Sequence, residues 1–201
     1  MNDFDIREAL LTELTEKYKD DSRARVFNEF SLRHGLNRID LIVLNEDLHG
    51  FEIKSDKDSL ERLFDQMRVY NSIFDKVTLV IGWRHYETAM KIIPEWWGVQ
   101  LACSTSEESV EIYEFREPTK NPNIDAFSLA TLLWKSEAIE MMEQYGLARD
   151  LSGKNRKDIY RELIKGVNLD SLKQGVVEVL RSRKYWKVDE LHVSDDDLCL
   201  L

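Results

Sequence analysis

The chain has 201 residues, 43% of them hydrophobic, with three prolines and a net charge of −10. That size and apolar content suit one folded domain, or one domain with an appendage, and exclude a disordered chain. No apolar run reaches membrane-spanning length, the N-terminus lacks the features of a signal peptide, and two distant cysteines give no disulfide framework, so the sequence reads as cytoplasmic.

In chain order, Ile6, Ala9, Leu10 and Leu14 form a stripe that predicts a helix over 3–19, with Asp3 or Asp5 as its cap. Strands follow over about 25–31, 38–44 and 48–54. The spacing of Leu60, Leu63, Phe64, Met67, Tyr70 and Phe74 predicts a helix over 58–72 with one buried stripe. Lys76–Ile81 is a short apolar strand of the kind buried in a mixed sheet. A helix over 84–93 ends before Pro94, and strands at 99–103 and 110–114 complete the set. The order predicts an α/β protein, a mixed sheet of about six strands flanked by helices, over 1–117. After a polar linker with Pro118 and Pro122, helices are expected at 125–145, 155–165 and 169–184. Residues 118–201 read as a helical extension packed on the core; a helix-turn-helix ending in Lys184–Val188 is the competing view.

The chemistry concentrates in the second and third strands. Residues 39–44 are apolar except for Asp40, and 51–54 alternate apolar with charged. A charge in a buried strand costs several kcal/mol unless it is paired or holds a metal. Asn45-Glu46-Asp47 reads as a three-residue turn, which sets Leu44 against Leu48 and Asp40 against Glu52. Lys54, two residues on, shares their face. A two-residue turn would place the carboxylates on opposite faces. Two close carboxylates need a proton or a cation between them. Oxygen donors suit Mg²⁺ or Mn²⁺, and a lysine beside the metal suits phosphodiester hydrolysis. Zinc is disfavoured because Cys103 and Cys199 form no tight motif. The competing reading is a structural ion pair of Lys54 with Asp40 or Glu52, which leaves one carboxylate in excess.

Two further positions enter by geometry. A four-residue turn at Arg33–Leu36 would pair Leu32 with Asn37 and bring Glu29 onto Asp40's face; the plain reading is a surface glutamate flanking an apolar strand. Gln66 borders the helical stripe four residues before Tyr70, where a glutamine has little packing reason to be.

Asp40 followed by Glu52-Ile53-Lys54 resembles the PD-(D/E)xK nuclease superfamily, with Ile39 in place of its proline. The run from Asn37 to Gly82 and the string IIPEWWGV at 92–99 resemble the sce7726 family within it, over roughly residues 24–150. The resemblance implies a restriction-endonuclease-like core and a metal-dependent deoxyribonuclease. It implies Asp40, Glu52 and the backbone carbonyl of Ile53 as ligands of Mg²⁺ or Mn²⁺, Lys54 as the catalytic lysine, and Glu29 as a third acidic candidate. Gln66 and Tyr70 resemble a glutamine–tyrosine pair that lies beside the active centre in some branches. Arg38, Lys57, Arg62 and Tyr70 are the expected nucleic-acid contacts, and DNA is the expected partner.

The net charge of −10 opposes backbone binding, but it is uneven: residues 22–70 carry −1 and 149–187 carry +6. A partner protein could supply the DNA affinity, and a homodimer is a further expectation; the alternative function is a non-cleaving nucleic-acid- or protein-binding module, for example an interaction subunit of a defence or mobile-element system.

Overall fold

A computed structural model of the chain describes residues 1–105, 109–147, 151 and 153–183. It divides into two units, Met1–Leu132 and Leu133–Leu201. The first therefore continues past the boundary expected at residue 117, and includes the linker and a short helix.

The first unit is built on one six-stranded sheet in the order β1 to β6: β1 (Arg25–Leu32), β2 (Asn37–Leu44), β3 (Leu48–Lys54), β4 (Lys76–Gly82), β5 (Gly98–Ser104) and β6 (Val110–Arg116). β1, β2 and β3 form an antiparallel meander, β3, β4 and β5 run parallel, and β6 returns antiparallel. The expected mixed α/β sheet with a helical C-terminal region is thus the fold.

α1 (Asp3–Tyr18) covers one face. Its Ile6, Leu10 and Leu14 pack with Leu41, Val43, Phe51, Ile53, Val80 and Ala102, because alternate strand residues share a face. The helix is capped by Asn2, whose side chain accepts from Asp5 N while Asp5 bonds back, so neither Asp3 nor Asp5 is the cap itself. α2 (Leu63–Tyr70) serves the opposite face. It begins five residues later than the periodicity predicts, after a stretch of turns, and Phe64 leaves the buried stripe, being 56% exposed. Gly50 admits this packing: a β-carbon there would lie 2.6 Å from Ile39 Cδ1 and 3.2 Å from the Phe74 ring. Trp97 is fully buried and its indole N–H donates to Asn71 Oδ1. α3 (Tyr86–Ile92) follows a 3₁₀ turn at Trp83–His85, and α4 (Ala126–Ala130) is capped by Asp125.

In the second unit the helix expected over 125–145 is interrupted. A new helix, α5 (Lys135–Gln144), starts where Glu137 accepts the Trp134 N–H. Tyr160 of α6 (Arg156–Gly166) donates its hydroxyl to the Leu133 carbonyl. Arg183, just after α7 (Leu169–Ser182), pairs with Glu137 and lies over the Trp134 ring. The segment Lys184–Val188 and the acidic tail at 194–201 lie outside the described residues.

Candidate active site

The turn holds three residues, and the ladder runs from Leu44–Leu48 to Leu41–Phe51 as the turn length requires. The next pair would be Asp40 and Glu52, and there a side chain replaces the ladder: Asp40 Oδ2 accepts the Ile53 N–H at 2.7 Å. The N–H and C=O of one strand residue lie along the same edge, so the Ile53 carbonyl also faces Asp40's edge. The irregularity is matched on β1. The register pairs Leu32 with Asn37 as expected, but Glu29 drops out of it with φ +54°. That left-handed conformation costs a non-glycine residue of order 1–3 kcal/mol.

Glu52 is 2% exposed and surrounded by donors. Its Oε1 pairs with Lys54 Nζ and accepts from Gln66 Nε2 at 2.6 Å; its Oε2 accepts from the Tyr70 hydroxyl at 2.6 Å. Lys54 is itself buried, at 6% exposure, which period-two spacing on one face explains. Burial, and secondly the charge of Asp40, push the Glu52 carboxyl above the usual carboxylate range. Asp40 is also pushed up by burial, against the Ile53 N–H and the Arg7 guanidinium, which favour its charged form. The Tyr70 phenol is raised by burial and by Glu52, which keeps it a donor.

Arg7 of α1 completes the cluster. Its Nη2 lies 2.6 Å from Asp40 Oδ1 and 2.8 Å from Asp3, and its Nη1 3.5 Å from Glu29. Burial works against the guanidinium's charge, but the hydrogen bond to Asp3 and the charges of Asp40, Asp3 and Glu29 outweigh it and raise its pKa. The sequence reading missed this residue. The available signal was its i,i+4 spacing from Asp3 beside the apolar stripe, which shows a paired arginine but not the strand it faces.

The structure thus brings Asp40, Glu52, Lys54, Gln66 and Tyr70 together, and places others differently. Glu29 meets Arg7 at 3.5 Å and Arg38 at 3.6 Å, with the Arg7 guanidinium between it and Asp40. Tyr70 is fully buried and therefore cannot touch nucleic acid; it holds Glu52 and the Arg38 carbonyl. Arg38, Lys57 and Arg62 are exposed.

No group of three or more His, Cys, Asp or Glu side chains forms a metal cage among the described residues. The donors at hand are the Asp40 and Glu52 carboxylates, the Ile53 carbonyl and Gln66 Oε1, a buried amide oxygen with no hydrogen-bond partner. All are oxygens, and burial disfavours the charge of both carboxylates. Such a set fits Mg²⁺ or Mn²⁺, which use one or two carboxylates and keep several waters, and does not fit zinc.

Over residues 1–201 the chain matches the family model described as Bacteriophage P4 protein cII. It belongs to that family. Protein cII of Enterobacteria phage P4 is 28% identical over 188 residues, covering 90% of this chain and 70% of that protein. A solved Silicibacter pomeroyi protein of unknown function aligns with 69% of this chain and 88% of its own, at 15% identity and a TM-score of 0.36, too distant to carry an argument. Among the described residues no helix is long and apolar enough to cross a membrane.

Proposed function

We propose that this protein is a metal-dependent nuclease that hydrolyses phosphodiester bonds in DNA, as the PD-(D/E)xK and sce7726 resemblance implies. The observation that supports it is the meeting of Asp40, Glu52 and a buried Lys54 where the β2–β3 hairpin opens. Asp40, Glu52 and the Ile53 carbonyl would hold Mg²⁺ or Mn²⁺. When bound, such a cation neutralises charge on the scissile phosphate and makes water more acidic. Lys54 has three N–H donors and its pair with Glu52 uses one, so the others are open to hold a water in line with the phosphorus. Gln66 and Tyr70 keep Glu52 in place, and Arg38, Lys57 and Arg62 meet the phosphodiester backbone. The resemblance implies 5′-phosphate and 3′-hydroxyl products.

The test is incubation of purified protein with plasmid, linear, branched and single-stranded DNA plus Mg²⁺ or Mn²⁺. Lys54→Ala should slow cleavage at least ~100-fold and leave Mn²⁺ affinity within a few-fold, whereas Asp40→Ala should lose both. Cleavage that survives Asp40→Ala would come from a contaminant and remove the assignment.

A second reading is a non-cleaving module that binds nucleic acid or a partner protein. It is favoured by the ion pairs that already engage the carboxylates, Arg7 with Asp40 and Lys54 with Glu52, and by the acidic balance of the chain. Calorimetry separates the two, since a closed ion-pair core takes up no Mn²⁺. Membership in a family described by a phage P4 protein is compatible with both.

A further inference from the structure

Asp40 offers two oxygens, and the structure uses them differently. Oδ2 is fixed by the Ile53 N–H, while Oδ1 is met by Arg7 Nη2 at 2.6 Å. Oδ1 carries no backbone bond, so it is the oxygen more open to a divalent cation, and the Arg7 guanidinium already stands there. We infer that Arg7 is a built-in competitor of the divalent metal: it holds Asp40 in the metal-free protein and must yield Oδ1 when the metal binds. This rests on the nuclease reading above.

Two observations make Arg7 an exchangeable counter-ion and not a fixed strut. The first is electrostatic. A guanidinium on Oδ1 and a dication on the same carboxylate would sit within about 4 Å of each other, where like charges repel strongly in a partly buried site. The Arg7 and Asp40 side chains are only 13% and 19% exposed, so water screens the pair weakly. The second is that Arg7 has somewhere to remain. Asp3 holds the same Nη2 at 2.8 Å, and Asn28 and Glu29 lie 3.3 and 3.5 Å from Nη1. Leaving Asp40 does not strand a buried charge, which would otherwise be strongly destabilising. Glu29 leaves the β1–β2 register in a left-handed conformation, and its carboxylate lies 3.5 Å from this guanidinium.

The experiment is isothermal titration of MnCl₂ into the full chain, comparing wild type with Arg7→Gln and Arg7→Lys, paired with thermal melts in the presence and absence of Mn²⁺. Arg7→Gln removes the competing charge and should tighten Mn²⁺ binding about tenfold or more, the scale of one pKa unit of charge interaction. Arg7→Lys keeps the charge but not the planar fork, and should fall between. Without metal, Arg7→Gln should melt below wild type because three carboxylates lose their cation; saturating Mn²⁺ should narrow the gap, since the metal replaces the cation on Asp40 alone. Wild-type Mn²⁺ binding that is unchanged or weaker in Arg7→Gln overturns the inference and leaves the nuclease reading standing. Failure of every protein to bind Mn²⁺ overturns both. If Arg7→Gln does not fold, Arg7→Lys decides: affinity no tighter than wild type overturns the inference.

Discussion

Glu52 receives donors from Lys54 on its own strand and from Gln66 and Tyr70 on α2. Tyr70 is the instructive one, because its ring and its hydroxyl do separate things. The ring is fully buried and packs with Phe74 and Trp97. The hydroxyl has one proton and two acceptors, Glu52 Oε2 at 2.6 Å and the Arg38 carbonyl at 2.9 Å. The shorter contact to the carboxylate is the stronger, as charge-assisted hydrogen bonds are. Tyr70→Phe keeps the packing and deletes the bond, so urea denaturation should show a loss of about 1–3 kcal/mol. Mn²⁺ affinity should fall roughly tenfold, as when a group that orients a metal ligand is removed. An unchanged urea midpoint would mean that the hydroxyl does not hold Glu52.

At the scale of elements, the hairpin and α2 are fitted to one another through Gly50. Strand residues Leu48, Gly50, Glu52 and Lys54 share the face served by α2, and Gly50 is the place where Ile39 and Phe74 close over the strand. Gly50→Ala would add a methyl group 2.6 Å from Ile39 Cδ1, an overpacking that costs about 1–3 kcal/mol. Since Ile39 immediately precedes Asp40, the relief of that clash should displace the carboxylate. Gly50→Ala should therefore lower both the thermal midpoint and Mn²⁺ affinity. A variant that melts early but binds Mn²⁺ normally would uncouple the hairpin's packing from the site.

For the whole molecule, the response to acid is set in part on the other face of the sheet. His49 stacks on Phe51 and its Nε2 lies 2.8 Å from Thr78 Oγ1. Burial first, then the charges of Lys76 and Lys17, push its pKa down to about 3. The unfolded chain takes up this proton near pH 6.5, well before the folded protein does, so stability is fully present above that pH and is lost as pH falls toward about 3. The full span corresponds to about 5 kcal/mol. Asp40 and Glu52, whose pKa values are raised, act with the opposite sign and favour the folded state as pH falls. The test is therefore a difference: urea unfolding of wild type and His49→Phe at pH 7 and pH 4. The wild type should lose stability relative to the variant at the lower pH, and parallel curves would show that His49 titrates normally in the fold.

What the sequence determined by itself is local in origin. Turn length and two-residue alternation set the β2–β3 register and put Glu52 and Lys54 on one face, because hairpin geometry depends only on adjacent residues. The strands and the mixed sheet followed from the same periodicities, which put Gln66 at the edge of a helical stripe; its place beside Glu52 was implied only by the family resemblance. Helix starts were less legible, since the turns before α2 and the break before α5 depend on which backbone groups find partners. Tertiary structure decided what surrounds Asp40. Arg7 lies 33 residues away in sequence and reaches it only because Ile6, Leu10 and Leu14 seat α1 over the sheet in one rotation. That seating also sets Glu29 against Arg7 and Arg38, pairings that the strand pattern did not show. Local periodicity states which residues share a face; only packing states which charge from another element meets them.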